Sequence, residues 1–311
     1  VRKFDRNYYL AIQKTAPSDA PVEFLEVPNE LTVQFDIKRH SFGDSNYAQI
    51  KIYNLSRQSA NSILKTDYDF NLMKQVIFQA GYGDGPSWPL LFTGNCSTVK
   101  SVREGNNYVT TIEAFDAGFA YSNAKLPVPF TSPEGATRQS LITQMAKTLA
   151  TPENGSVQLG AIGTAGGYLL DSIPKGNSYT GNPLNLIAEM TGGFGTNLMF
   201  VDQNRLHVLD KLHGEVIQTP TVPKITASSG LLGTPVRESN MLYFDTLLES
   251  NLLVGQQIFL DAQTVQNYNT NYIVISLQHK GTISKAVCAE AITSIGVFCT
   301  TLTPIPLPVA S

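Results

Sequence analysis

Leu31-Thr32-Val33-Gln34-Phe35-Asp36-Ile37-Lys38 alternates apolar and polar residues without a break. Leu31, Val33, Phe35 and Ile37 fall on one side of an extended chain and Thr32, Gln34, Asp36 and Lys38 on the other, the pattern of a half-buried β-strand. Ala48-Gln49-Ile50-Lys51-Ile52 repeats it. Asn54-Leu55-Ser56 ends that strand, and Ser56 is the expected cap of a short helix over 57–64. Further strands are predicted at 76–80, 90–94, 99–102 and 108–115, the last two forming a hairpin around 103–107. Gly81-Tyr82-Gly83-Asp84-Gly85-Pro86 is dense in residues that accept positive φ and is predicted to be a turn. Short strands at this spacing predict an antiparallel barrel or sandwich.

Beyond this block the period changes. Ser132-Pro133 has the form of a helix cap followed by proline at the first helical position. Leu141, Ile142, Met145, Ala146 and Leu149 then share one helical face, and Thr151-Pro152 ends the helix. After a Gly- and Ser-rich stretch, Asn182-Pro183 repeats the start signal, Leu184, Ile187, Ala188 and Thr191 give a buried stripe, and Gly192-Gly193 supplies the stop. Residues 197–202 and 205–209 form a predicted hairpin across Gln203-Asn204. Strands return in the last third: Gly230-Leu231-Leu232-Gly233-Thr234-Pro235 is a predicted turn-rich entry, followed by strands at 241–244, 257–260, 272–277 and 286–292. Thr303-Pro304-Ile305-Pro306-Leu307-Pro308 cannot join a central strand and reads as an extended arm. The order is a β block (1–125), an α+β block (126–228) and a β block with a Pro-rich arm (229–311). The two β blocks share a weak parallel, each with a Gly-containing turn, a strand and a late hairpin, at Glu104-Gly105 and at Lys280-Gly281, which suggests internal duplication.

Composition narrows the function classes. Of 311 residues, 42% are hydrophobic and only 15% charged, and the formal net charge is −3. So small a charge argues against a dedicated nucleic-acid binder, whose footprint is a basic excess. Fifteen Phe and 13 Tyr argue against intrinsic disorder. Three cysteines, Cys96, Cys288 and Cys299, form neither a disulfide framework nor a CxxC pair. A reducing site of synthesis is the simpler reading, and the sequons at Asn54, Asn95 and Asn154 are then chance matches. Val1-Arg2-Lys3-Phe4-Asp5-Arg6 precedes no apolar signal segment, and no apolar run reaches the roughly 18 residues of a membrane span.

Catalytic motifs are lacking: no HExxH, GxSxG or P-loop pattern occurs. Gly81-Tyr82-Gly83-Asp84-Gly85 is only superficially like a phosphate loop, since no lysine and no helix follow. The histidines are His40, His207, His213 and His279; His207 and His213 are closest, but no ligand set completes a metal site. His207, between Leu206 and Val208, is expected on the solvated face of its strand. Glu113, Asp116, Glu134 and Glu189 are candidates for a hydrolytic carboxylate pair, although spacing singles out no two of them. Trp88, between Pro86 and Pro89, is expected to be a packing anchor. With no catalytic, cofactor or metal residue assigned, a structural or assembly role is the default.

Several stretches, in order, resemble one family. They are Ala48-Gln49-Ile50-Lys51-Ile52-Tyr53-Asn54-Leu55-Ser56; Gly81-Tyr82-Gly83-Asp84-Gly85 with Leu91-Phe92-Thr93-Gly94; and Val109-Thr110-Thr111-Ile112-Glu113-Ala114-Phe115-Asp116-Ala117-Gly118. Gly230-Leu231-Leu232-Gly233-Thr234-Pro235, Leu247-Leu248 with Gly255 and Ile258, and Tyr272-Ile273-Val274 with His279-Lys280-Gly281 continue the series. Together, from about Phe24 to Ile292, they resemble the baseplate hub proteins of contractile-tailed phages, with one departure, Thr282 where relatives often carry Asp. The resemblance implies a mainly β chain with an α+β insertion, in which two related antiparallel β-barrel (tube-like) domains flank a small α+β domain. It implies a homotrimer forming a pseudo-sixfold ring in the virion tail baseplate, assembled in the host cytoplasm. The implied partners are the tail tube protein, the central spike protein, baseplate wedge proteins, the tape-measure protein and, transiently, DNA. No enzymatic activity is implied. Three rivals are a hub or spike of a related contractile injection machine, a tail-associated cell-wall hydrolase, and a carbohydrate-binding β protein.

Overall fold

The computed structural model describes residues 5–15, 21–41, 45–64, 74–83, 87–127, 129–163, 167–191, 197–210, 214–285 and 290–299. The first block holds β1 (Arg6–Gln13), β2 (Phe24–Glu26), β3 (Val33–His40), β4 (Tyr47–Tyr53), α1 (Arg57–Ile63), β5 (Lys74–Tyr82), β6 (Leu90–Glu104) and β7 (Asn107–Phe115). The alternation that opens at Leu31 becomes β3, which starts at Val33 and runs on to His40. Val33, Phe35 and Ile37 are buried, and Arg39 occupies the next inward position. Ser56 caps α1, its side chain accepting from the Ser59 backbone N–H. Gly81 and Tyr82 belong to β5, so the chain leaves the strand at Gly83; Asp84, Gly85 and Pro86 lie outside the described residues. Where the sequence predicts two strands, 90–94 and 99–102, there is the single long β6.

The first block closes on α2 (Gly118–Asn123), and the middle block contains β8 (Phe130–Thr131), α3 (Arg138–Leu149), β9 (Gln158–Ile162), β10 (Ser178–Tyr179), α4 (Pro183–Met190), β11 (Asn197–Asp202) and β12 (Arg205–Asp210). Helix α3 starts later than the Ser132-Pro133 signal predicts. Gly135 sits at φ +73°, which a right-handed helix cannot contain, and the cap passes to Thr137, which exchanges hydrogen bonds with Ser140. The predicted face of Leu141, Ile142, Met145, Ala146 and Leu149 is wholly buried. Asn182 caps α4 as expected, Oδ1 accepting from Leu184 N at 2.9 Å; Gly192-Gly193 lies outside the described residues. The β11–β12 turn places Gln203 and Asn204 at φ 53° and 59°, the geometry of a two-residue hairpin.

After β13 (Lys224–Thr226), which ends the middle block, the last block comprises β14 (Leu231–Glu238), β15 (Met241–Leu247), β16 (Gln257–Asp261), β17 (Thr270–Ile283) and β18 (Glu290–Cys299). Of the predicted turn at Gly230–Pro235, Gly230 does turn, at φ +110°, while 231–235 begin β14, whose register with β15 breaks between Leu232 and Val236. The hairpin expected at Lys280-Gly281 is also corrected: both residues lie inside β17. Glycine is needed there because strands run close, and a Cβ at 281 would lie 2.5 Å from Ala291 Cα. Cys288 and the Pro-rich arm fall outside the described residues.

Thirteen strands form one largely antiparallel sheet, ordered β14-β15-β18-β17-β3-β4-β7-β6-β5-β1-β2, with β16 and β13 branching from β17. The path is open at β14 and β2, and no closed barrel is found among the described residues. Strand β17 joins the two blocks: residues 270–273 pair with β16 and 276–283 with β3. A five-strand order occurs twice. Strands β3 to β7 pair as β3-β4-β7-β6-β5, and β14 to β18 as β14-β15-β18-β17-β16. Seven consecutive pairs join β4 to β7, from Tyr47↔Phe115 to Tyr53↔Val109, and seven join β15 to β18, from Met241↔Phe298 to Leu247↔Ile292. Even the irregularities correspond: β6 bulges between Cys96 and Thr98, and β17 between Val274 and Ser276.

Three apolar cores underlie these blocks. The first packs Phe35 against Phe78, ring centroids 5.1 Å apart, among Leu10, Ile12, Ile50 and Phe92. It also takes Leu248, Ile283 and Ala291 from the last block. The second gathers the faces of α3 and α4 over β11 and β12, and the third surrounds Phe244, Ile258, Val274 and Val297, with Phe200 and Leu209 entering from the middle block. Each such side chain contributes about 1.5–3 kcal/mol when fully buried.

Candidate functional site

Where the three blocks meet, a charged cluster is sealed from solvent. The inward parity of β3 delivers Arg39, and the β11–β12 hairpin delivers Asp202 opposite it. Arg39 Nε and Nη2 donate to Asp202 Oδ1 at 2.8 Å and Oδ2 at 2.6 Å, a bidentate pair. Arg39 Nη1 reaches Leu252 O at 3.3 Å. Asn46, just before β4, donates through Nδ2 to Val201 O and Asp202 Oδ1, both at 3.0 Å, and more weakly to Asp116 Oδ2 at 3.5 Å. Its Oδ1 accepts from His40 N. Asp116, just beyond β7, accepts from Asn204 N at 2.9 Å. One Arg thereby links the first block to the middle block through Asp202 and to the last block through Leu252.

Burial and the neighbouring Asp202 charge push the Asp116 carboxyl up to about 7. Of the carboxylates named from sequence, Asp116 alone is brought to another, Asp202. Both are occupied by protein donors and almost completely buried, so no sugar ring or attacking water can lie between them. Glu113 is on β7 beside Gln49, Glu134 forms an exposed ion pair with Lys175, and Glu189 is exposed on α4.

The histidines are scattered. His207 is buried rather than solvated, a correction to the strand-parity expectation. Its ring stacks on Phe200, Nδ1 accepts from Ala161 N at 3.0 Å, and a Cβ on Gly160 would strike the ring at 2.5 Å. The face that alternation assigned to water also carries Phe200 and Leu209, which enter the third core, so the last block covers it. Burial lowers its pKa to about 4. His279 is fully buried, 3.0 Å from Thr293 Oγ1, and burial with the nearby Arg39 charge lowers it to about 3. His213 lies outside the described residues, and no group of three His, Cys, Asp or Glu converges among those described. Trp88 packs over Gly81 and donates from Nε1 to Gly83 O. Sequence reading missed Arg39, Asn46 and Asp202. Only Arg39 carried a signal, its parity with Val33, Phe35 and Ile37.

The other notable feature is edges. Among the described residues, strand β14 pairs only with β15. Strand β5 covers β6 only up to Cys96, so β6 residues 97–104 have β7 on one side and no described strand on the other. Large apolar side chains are exposed on both, Val236 at 56% and Val102 at 44%. No described helix is long and apolar enough to cross a membrane. Such a surface offers assembly contacts rather than a reaction centre.

A family model described as Baseplate hub gp41 matches residues 15–284. No curated protein sequence matches. Solved structures share the fold at very low identity. A tail protein from Neisseria meningitidis MC58 superposes with a TM-score of 0.56 at 7% identity, covering 94% of this chain and 96% of its own. The 43 kDa tail protein of prophage MuSo2 from Shewanella oneidensis gives 0.56 at 8%, covering 93% and 97%. The E. coli c3393 protein gives 0.54 at 9%, covering 90% and 78%; it is described as a type VI secretion component with structural similarity to T4 tail proteins gp27 and gp5.

Proposed function

The chain belongs to the Baseplate hub gp41 family of viral tail baseplate proteins, and from that premise we propose that it is the hub of a contractile tail, a trimer closed into a pseudo-sixfold ring. The observation that carries this is the five-strand order found twice in one chain. Two like modules per chain and three chains give six like units, the arrangement that lets a sixfold tail tube and a threefold spike share one adaptor. We assign the modules as tube-like domains over 1–125 and 229–311, around an α+β domain over 126–228. The three apolar cores support a threefold division, although Ala117, Ala120 and Ala124 join the second and Phe200, Leu209 and Ile225 the third, and the Arg39–Asp202 bridge links the parts. The partners are then the tail tube protein, the central spike, wedge proteins, and tape-measure protein and DNA in passage. A conduit for DNA is best without a strongly basic lining, and the net charge of −3 agrees.

The role is mechanical, without catalysis, metal or cofactor. The buried Asp116–Asp202 pair is bound by the protein itself, which favours this over the cell-wall hydrolase. Electron microscopy of the purified chain with its spike tests the proposal: annular particles with six similar lobes are expected, and particles without lobes contradict it. A peptidoglycan zymogram is expected to show no clearing; clearing refutes the purely mechanical role.

A further inference from the structure

The duplicated strand order has a geometric consequence at the two open edges. Aligning the modules on their shared register makes β14 the counterpart of β3 and β6 the counterpart of β17. The bulges fix the second match, Thr98 corresponding to Ser276. The pairing of each first hairpin fixes the first match, Glu238 corresponding to Lys38 and Val236 to Asp36. Within the chain, β3 is paired antiparallel with the outer half of β17, from Ser276↔His40 to Ile283↔Val33. The counterparts, β14 and the outer half of β6, have a described strand on one side only, β15 and β7 respectively.

We propose that β14 of one chain pairs antiparallel with β6 residues 97–104 of a second copy, in the register of the internal β3–β17 joint. This rests on the ring reading and names the strands that close it. Transferring the pairs Gln278↔Lys38, His279↔Ile37 and Lys280↔Asp36 sets Lys100 opposite Glu238, Ser101 opposite Arg237, and Val102 opposite Val236. Opposite charges meet, and two of the most exposed aliphatic side chains cover each other. The irregular stretch 233–235, with Pro235, falls between the paired segments and guards β14 against indiscriminate edge pairing. The contact is heterologous: each chain offers β14 to one neighbour and β6 to the other, so it closes into a ring when the rotation allows.

Cysteine cross-linking of the full chain tests the joint, because Cα separations across antiparallel pairs, about 4.5–5.5 Å, lie within disulfide reach. Val102→Cys with Val236→Cys is expected to give covalent dimers and trimers on a non-reducing gel. Either single variant, which controls for the native cysteines, gives none, and neither does Val22→Cys with Val236→Cys. Lys100→Glu or Glu238→Lys alone weakens association about tenfold or more, and the two together restore it. A wild-type chain that trimerises while the cysteine pair stays unlinked and charge reversal has no effect overturns the joint but leaves the ring. A chain that neither associates nor cross-links overturns both, and open-ended polymers in place of trimers overturn closure.

Discussion

Arg39 and Asp202 form a buried ion pair whose two halves are not separately tolerable. Removing one partner leaves an uncompensated charge in the interior, so Arg39→Ala is expected to cost about 3–5 kcal/mol in urea unfolding. Arg39→Met combined with Asp202→Leu recovers most of that loss, which a chemical denaturation cycle checks. Three further buried groups set the pH profile. The folded state holds the Asp116 proton up to about 7 against an ordinary 3.8, so this group stabilises fully below 3.8 and its contribution is lost as pH rises to about 7. His207 and His279, lowered from 6.5 to about 4 and about 3, act oppositely: they stabilise above 6.5 and lose that contribution on acidification. Two histidines outweigh one carboxyl below 6.5, so from these groups stability rises with pH up to about 6.5 and stays nearly level above it, where the remaining histidine gain and the carboxyl loss offset each other. Asp116→Asn steepens the rise below 6.5 and carries it on toward pH 8, and His279→Gln flattens the rise; urea midpoints at pH 5, 6.5 and 8 read both. None of these roles was legible from sequence except the inward position of Arg39. Asp116 was visible only as one carboxylate among several, because its partners arrive from remote stretches of chain.

At the scale of elements, the local signals read well where one residue's chemistry decides. Ser56 and Asn182 cap the helices the sequence assigned them, and Gln203-Asn204 makes the turn. Asn182 does more than cap: its Nδ2 donates to Ala120 O and Tyr121 O, both at 3.0 Å, tying the end of α2 to the start of α4. Asn182→Ala is therefore expected to cost about 1–2 kcal/mol, at the upper end for a lost cap, while Asn182→Asp, which keeps only the cap, loses less; thermal melts separate them. Ser132-Pro133 misleads because its cap-like pair precedes a left-handed Gly135, and nothing within that dipeptide reveals it. Gly281 misleads for a tertiary reason. It marks close approach of two strands, and glycine in a sequence announces a turn just as readily.

For the whole molecule, alternation along separate strands predicts a β architecture with a central α+β block, and that is present. Which strands neighbour one another is not written in alternation. The sheet runs through both β blocks, and the equivalence of the modules emerges from pairing order and shared bulges rather than from residue identity. Among the described residues, β14 and the outer half of β6 each lack a strand on one side, and the proposed ring gives each a partner. Native mass measurement of the purified 311-residue chain in volatile buffer, across a dilution series, is the test of that assembly. The account predicts a species of three times the 33.9 kDa chain mass, favoured as concentration or spike partner is raised. A mass that stays at one chain at every concentration, with the spike present, contradicts it.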